Sequence, residues 1–260
     1  MYFTTHFFAS QVLNTFRGIT AAGYNQLWAG LFISDPTSTG VSGIEIVYEG
    51  YQRQPIVFTP PADFNGHLAI RNAGDITWPL SEQSPGTARH IGIFDSALGG
   101  NMLLRGDLTV PLEIRPQQQP SILAGDIIYW GRGNFSSSFR AAYLNILRGI
   151  SLQGFTPHAA MFNGNPESGG FELYGENYSR PPVPFAAPSI ADNGVMTIVN
   201  EQVVSFPTPL DTWGHWTHDA LMRGDFTAET ATVSVNAESE VIHRNYIGRF
   251  NTGALRVGLD

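Results

Sequence analysis

Two short motifs place a tyrosine and an arginine two residues apart, the spacing that puts two side chains on one face of a β-strand. They are Tyr51-Gln52-Arg53 and Tyr178-Ser179-Arg180. An arginine in this position can stack on an aromatic ring or form a forked hydrogen bond to a carboxylate or carbonyl group. Because the pattern occurs twice, we predict a structural role for both pairs. A ligand site at each pair is the alternative.

Two further motifs contain residue types that bind metals or receptors. In His215-Trp216-Thr217-His218-Asp219 the two histidines are three residues apart, so on a strand they point to opposite faces. We predict a strand end there, with no metal. Arg-Gly-Asp occurs at Arg105–Asp107 and at Arg223–Asp225, each time beside apolar residues. This setting favours a strand with a turn or bulge at the glycine and a local Arg–Asp pair over an adhesive loop.

The composition excludes several kinds of chemistry. All 14 positively charged residues are arginines, so no lysine is present to form a Schiff base or a phosphate-loop contact. The absence of cysteine excludes thiolate metal sites. A net charge of −8 disfavours nucleic-acid binding. The chain also lacks the Gly-x-Ser-x-Gly motif. The sequence does not exclude a pair of acids for glycoside cleavage, but no such pair recurs in both copies. We predict no enzymatic activity, no cofactor and no metal.

The sequence repeats itself in four places, in the same order. The repeats point to a duplicated module, and internal symmetry is commoner in scaffolds than around one active site. The four matched pairs are Leu13–Ile19 with Leu144–Ile150, Gly50–Phe58 with Asn177–Phe185, Ile76–Pro79 with Val204–Pro207, and Leu103–Thr109 with Leu221–Thr227. They align Phe58 with Phe185 and Trp78 with Phe206. The offset between copies falls from 128 to 118 at the last pair. This predicts that the second copy lacks a ten-residue hairpin around Gly99-Gly100-Asn101.

The apolar patterning indicates how these motifs are positioned. Phe8, Val12, Leu13 and Phe16 predict a short helix ending at Gly18, and Phe139, Tyr143, Leu144 and Leu147 predict a second ending at Gly149. Each helix is expected to pack on its own module's sheet. Short apolar runs separated by glycine and proline predict the strands. We therefore predict a mainly β fold: two tandem antiparallel sandwich- or barrel-like modules, residues 1–133 and 134–260, each opened by a short N-terminal helix. The N-terminal residues are not expected to be a signal peptide, and no apolar run has membrane-spanning length.

The order of the motifs in the first copy resembles a small module of tailed-bacteriophage virion proteins, a family described as tail fibre proteins. The motifs that carry the resemblance are Leu31–Pro36, Gly50–Arg53 with Phe58, Ile70–Asn72 with Trp78-Pro79, and His90–Asp95 with Gly99-Gly100. The second copy resembles the module over about two thirds of its length. It has Asn177 in place of glycine and Phe206 in place of tryptophan.

The resemblance implies a bacteriophage virion structural protein, assembled in the bacterial cytoplasm, that is part of a tail fibre or tail appendage or its attachment point. Low charge and many phenylalanines favour contact with other virion proteins and self-association as a trimer or ring. The alternatives are a capsid decoration, a neck or baseplate adaptor, or a module that binds host surface glycan. In that last case Trp130, Trp213 or Trp216 would supply stacking faces. A glycan-cleaving enzyme ranks lowest.

Overall fold

The computed structural model describes residues 2–133, 135–223, 233–242, 244–245 and 248–259, and for 233–241 the backbone alone. The mainly β fold with two short helices is confirmed, and the sheets are antiparallel. Within these ranges every sheet is open, so none closes into a barrel. No helix in the same ranges is long and apolar enough to cross a membrane.

The elements follow one another in the same manner in the two halves, residues 1–133 and 134–260. The first half contains β1 (Tyr2–Thr4), α1 (His6–Asn14) with a 3-10 turn (Thr15–Arg17), β2 (Leu27–Phe32), β3 (Gln54–Ile56), β4 (Ala62–Phe64), β5 (His67–Arg71), β6 (Ile76–Thr77), β7 (Gly86–Phe94), β8 (Met102–Ile114), β9 (Ser121–Ile122) and β10 (Ile128–Trp130). The second contains α2 (Ser137–Ile146), β11 (His158–Asn163), a 3-10 turn (Pro166–Ser168), β12 (Phe171–Glu172), β13 (Ser189–Ile190), β14 (Met196–Val199), β15 (Val204–Ser205), β16 (Gly214–Met222), β17 (Val233–Ile242), β18 (Arg249–Phe250) and β19 (Arg256–Leu259).

In each half the largest sheet has a long hairpin beside a six-residue strand. In the first half its order is β1-β8-β7-β2-β3, and in the second it is β12-β11-β16-β17. A smaller sheet accompanies it, β10-β5-β4 in the first half and β13-β14-β19 in the second. The two-stranded sheets β6-β9 and β15-β18 also correspond. The boundary at residues 133 and 134 stays a prediction.

The two helices begin and end as their sequences predict. The Thr5 side chain accepts a hydrogen bond from the Phe8 amide at 3.4 Å, and the Ser136 side chain accepts one from the Phe139 amide at 3.2 Å. These N-caps satisfy amides that have no partner inside the helix. Gly18 and Gly149 follow the helices with φ of 79° and 84°, a left-handed conformation that favours glycine.

Each helix packs on strands of the other half, so the prediction that it packs on its own module's sheet holds only in part for α1 and is wrong for α2. Helix α1 contacts β14 and β19 of the second half in addition to β1 and β8 of its own half. Helix α2 contacts β5 of the first half. An apolar stripe indicates that a helix face is buried, but it does not indicate which of two similar sheets covers that face.

The halves meet through contacts that occur twice, with the roles of the halves exchanged. Ala21 and Leu152, which the sequence repeat aligns, exchange two backbone hydrogen bonds of 2.9 Å. This is the pattern of an isologous interface, in which equivalent residues meet around a twofold axis. The other reciprocal hydrogen bonds are Tyr24 N to Ile146 O with Phe155 N to Thr15 O, Gly23 N to Ser151 Oγ with Gly154 N to Thr20 Oγ1, and Arg17 Nε to Phe185 O with Arg148 Nε to Phe58 O.

Glycine is required where the backbones approach most closely. A Cβ atom on Gly23 would lie 2.2 Å from the carbonyl carbon of Gly149, and one on Gly154 would lie 2.2 Å from that of Gly18. Both neighbours are backbone atoms, which cannot move aside as a flexible side chain can. The reciprocal interface therefore depends on four glycines that the repeat aligns in pairs.

The second half contains the hairpin that the sequence comparison assigned to the first half alone, so that prediction is wrong. In the first half Gly86 pairs with Ile114, and in the second Gly214 pairs with Ile242. Both residues of the second pair follow those of the first by 128 positions, so no net deletion separates these pairs. The error came from aligning Leu221-Met222 with Leu103-Leu104, whereas Met222 takes the place of Phe94 at the end of the preceding strand.

Candidate functional site

The Tyr51–Arg53 pair is built around Glu45, a residue that sequence reasoning missed. Arg53 donates from Nε to Glu45 Oε1 at 2.9 Å and from Nη2 to Glu45 Oε2 at 2.8 Å. The Tyr51 hydroxyl accepts from the Leu31 amide at 2.9 Å and donates to Glu45 Oε1 at 3.2 Å. Burial, and then the negative charge of Glu45, raise the pKa of Tyr51, which keeps its hydroxyl protonated. The cluster joins β2 to the segment that follows it.

Arg53 also fixes the turn that follows β7. Its Nη1 donates to the Gly99 carbonyl at 2.6 Å and to the Ser96 carbonyl at 3.3 Å, and its guanidinium carbon lies 3.3 Å from the centre of the Phe94 ring. Within the turn, the amide and the side chain of Asn101 both donate to Asp95, at 2.7 and 2.9 Å. These contacts tie the residue 95–101 turn to Arg53 and close the turn on itself.

The second half repeats this cluster with Glu172. Arg180 donates from Nε to Glu172 Oε1 at 2.7 Å and from Nη2 to Oε2 at 2.5 Å. The Tyr178 hydroxyl accepts from the Met161 amide at 3.2 Å and donates to Glu172 at 2.8 Å. Burial, and then the negative charge of Glu172, raise the pKa of Tyr178. Both pairs thus use their charged groups inside the fold.

Two buried asparagines, also missed as site residues, organise the smaller sheets. Asn72 donates to the carbonyls of Gly74 and Leu123 at 2.9 and 2.8 Å and accepts from the Ile127 amide at 2.9 Å. Asn200 makes the corresponding bonds with Gln202, Asn251 and Leu255 at 2.7, 2.9 and 2.9 Å. The available signal was the Asn72–Asn200 match at the offset of 128 residues.

The remaining repeated residues lie in the core. Phe58 and Phe185 are 3% and 5% exposed and form bridges with Asn72 and Asn200. The Trp78 amide donates to the Pro120 carbonyl, and the Phe206 amide donates to the Gly248 carbonyl, both at 2.9 Å. Both side chains are buried. None of these residues is available to an external ligand.

The Arg-Gly-Asp motif of the first half lies inside β8, and its charged ends pair elsewhere. Arg105 donates to Asp35 at 3.0 Å, and His90 Nδ1 lies 2.8 Å from Asp107. The expected local Arg–Asp pair is therefore wrong for this motif. In the second motif Arg223 follows β16, with its guanidinium carbon 5.1 Å from the centre of the Phe155 ring. Gly224 and Asp225 lie outside the described residues.

The His215–Asp219 motif lies in β16, which is irregular between Trp216 and His218. His218 Nδ1 lies 3.0 Å from Thr217 Oγ1. Among the described residues, no cluster of three or more metal-binding side chains is present. Trp213 and Trp216 are buried, so the expectation that they supply glycan-stacking faces is wrong, and Trp130 packs against Phe64 and His67.

Asp219 is a carboxylic acid where the first half has the buried Ile91. Trp216 Nε1 donates to Asp219 Oδ1 at 2.9 Å. Burial raises the pKa of Asp219 to about 7, although the Trp216 hydrogen bond lowers it. The charge of this carboxyl therefore changes near neutral pH.

The comparisons with known proteins found a family that matches the first half. A search of curated proteins found no match. Residues 3–129, just under half of the chain, match the family model Gp80, described as "Podophage GP4 fiber I protein gp80". The family indicates a structural role in the phage virion, in association with other virion proteins. Residues 3–129 of this chain are therefore similar to a fibre protein of podophages, which supports a virion module of the phage tail-fibre type.

Proposed function

We propose that the protein is a non-catalytic structural component of a tail fibre or tail appendage, or its attachment point on the particle. The observation that carries this proposal is the match of residues 3–129 to a podophage fibre family. The fold supports it, because the charged groups that recur in both halves form internal ion pairs, Arg53 with Glu45 and Arg180 with Glu172. Groups engaged in this way stabilise a scaffold.

The second half is best explained as a copy of the same module. The family model matches the first half alone. The support for duplication is the correspondence of the Tyr–Arg–Glu clusters and of the asparagine contacts, together with the reciprocal hydrogen bonds between Ala21 and Leu152. One chain then has the architecture of a twofold dimer, with each half completing the core of the other through its helix.

Contact with other virion proteins is proposed to involve the surface of the first half. Its turn at residues 95–101 carries Leu98, which is 91% exposed. Because the Arg53 contacts hold this turn in place, binding of a partner would cost little conformational entropy of the turn. Val41, Val47 and Val57 are also strongly exposed, at 87%, 75% and 70%. Exposed apolar side chains favour burial against a neighbouring subunit, either another copy in a trimer or ring or a different virion protein.

The experiment is to remove the protein from the phage and image the particles by electron microscopy. Phage assembled in a bacterial host without this gene should form filled heads that lack a fibre or appendage, and supply of the gene in trans should restore it. Particles with complete appendages and a missing capsid-surface or neck density would favour the decoration or adaptor alternatives. Normal particles without the protein would contradict any virion role.

A further inference from the structure

A cleft of about 540 Å³ opens in the first half, between β8 and the chain that leads into β10. One wall is formed by residues 108–112 of β8, and the opposite wall by Ser121, Ile122 and the segment from Gly125 to Ile128. Tyr2 and Arg71 complete the lining. Its volume falls within the range of sites that bind small molecules.

Arg71 is held at the cleft by its Nε and by the Phe64 ring. Its Nε donates to the Gly125 carbonyl at 3.2 Å, and its guanidinium carbon lies 4.5 Å from the centre of the Phe64 ring. Within the described part of the chain, its two terminal nitrogens donate no hydrogen bond and form no ion pair. A Cβ atom on Gly125 would lie 2.7 Å from Nη2, so glycine at this position leaves room for the guanidinium group.

At the cleft, Asp126 supplies a hydrogen-bond acceptor and Tyr2 supplies a second hydrogen-bond donor. The Asp126 carboxylate is exposed and accepts no hydrogen bond from any described residue. Tyr2 is 6% exposed, and its hydroxyl likewise has no hydrogen-bond partner among the described residues. Burial, and then the negative charges of Asp126 and Asp107, raise the pKa of Tyr2, so the hydroxyl stays a neutral donor.

These groups select a neutral molecule rich in hydroxyl groups. One positive and one negative charge flank the cleft, so a phosphate would be repelled by Asp126 and an ammonium by Arg71. A hydroxyl can accept from the guanidinium group or the phenol and can donate to the carboxylate. Val110, Pro111, Ile122 and Ile128 offer aliphatic contacts to C–H groups between these polar atoms. We propose that this cleft is a binding site for a neutral saccharide.

The second half has lost the same arrangement and so provides an internal control. A pocket of about 160 Å³ lies in the second half and is lined by Asp219–Leu221, Phe250 and Ala254–Arg256. Arg71 faces Ile128 across two paired strands, whereas at the equivalent rung Val199 faces Arg256. Ala254 stands where the first half has Asp126, and the sequence repeat aligns Gly133 with Tyr2. The donor, the acceptor and the phenol therefore meet in the first half.

This proposal deepens the proposed virion function and rests on it for the source of the saccharide, a surface glycan that the particle meets. The test uses the purified full-length protein. Methyl glycosides of neutral hexoses, 6-deoxyhexoses and N-acetylhexosamines are titrated by saturation-transfer NMR and calorimetry, with inorganic phosphate and glycine as charged comparisons. Arg71→Ala and Asp126→Ala are compared with Arg256→Ala, the control in the second half. Tyr2→Phe removes the hydroxyl and keeps the ring, which preserves packing if Arg71→Ala does not fold.

We expect at least one glycoside to bind, and each of Arg71→Ala and Asp126→Ala to weaken binding by roughly ten- to a hundredfold, the usual effect of losing a charged hydrogen bond. Arg256→Ala should bind as the wild type does. The proposal is overturned if no glycoside binds, if phosphate or glycine binds in its place, or if Arg256→Ala weakens binding and the first-half variants do not. Incorporation of the same variants into particles is measured separately, because failure to enter the particle contradicts the virion function and not the cleft.

Discussion

Asp219 makes the stability of the protein depend on pH in a direction that differs from most carboxylates. Its pKa is raised by burial from 3.8 to about 7, so the folded state binds this proton more tightly than the unfolded chain does. The stability that the protonated acid contributes is therefore fully present below about pH 4 and is lost as the pH rises through about 7. The interval between the two pKa values corresponds to about 4 kcal/mol.

The substitution that isolates this effect is Asp219→Asn, which keeps an oxygen to accept the 2.9 Å hydrogen bond from Trp216 and cannot ionise. Denaturant unfolding is measured from pH 4 to pH 8 for both proteins. The variant should match the wild type near pH 4 and exceed it near pH 8 by up to about 4 kcal/mol. Asp192→Asn, which changes an exposed carboxyl in the same half, controls for the general loss of one negative charge. If the free energy of unfolding changes with pH in the same way for the wild type and Asp219→Asn, burial does not raise the pKa of Asp219.

Three further predictions concern the scaffold. Arg53→Ala and Arg180→Ala should each lower the free energy of unfolding by about 1–3 kcal/mol, because Glu45 or Glu172 loses its charged partner; Arg115→Ala, at an exposed ion pair, should leave thermal unfolding unchanged. Gly23→Ala and Gly154→Ala should each cost more than about 2 kcal/mol, since the new Cβ meets backbone at 2.2 Å. Gly74→Ala, where the Cβ meets open space, is the control, and equal losses in all three would refute the reciprocal interface. Sedimentation at micromolar concentration should detect self-association, and a clean monomer would assign the exposed apolar side chains to other virion proteins.

The sequence was informative where the pattern is local. The helix stripes and the terminal glycines Gly18 and Gly149 predict both helices, because periodicity and a left-handed cap act within a few residues. The apolar run from Leu27 predicts β2 to within one residue of its end. The strand predicted around Arg105–Asp107 is part of β8, and its continuation to Ile114 was missed because Pro111 interrupts the apolar alternation there.

The features that needed the structure depend on distant partners. Glu45 lies eight residues from Arg53, and nothing in its neighbourhood distinguishes it from other surface acids until the fold brings the two together at 2.8 Å. The contact of each helix with the other half cannot be recognised in either helix sequence, because both sheets offer apolar faces. The alignment error at Leu221 arose because short apolar pairs match equally well on either side of a hairpin, and strand pairing alone decides between them.

The differences between the halves are concentrated where the shared contacts stop. The Tyr–Arg–Glu clusters and the asparagine contacts agree atom for atom, and they define the frame. Beside that frame, the second half has Val199 and Arg256 where the first has Arg71 and Ile128. It also has Ala254 in place of Asp126 and Asp219 in place of Ile91. Arg71 and Asp126 line the cleft of the first half, and their replacement by Val199 and Ala254 removes both charges, whereas Arg256 and Asp219 introduce charges beside the pocket of the second half. A scaffold that keeps its frame and varies the charges of one cleft can give its two halves different ligands, so the cleft variants are the substitutions expected to separate binding from assembly.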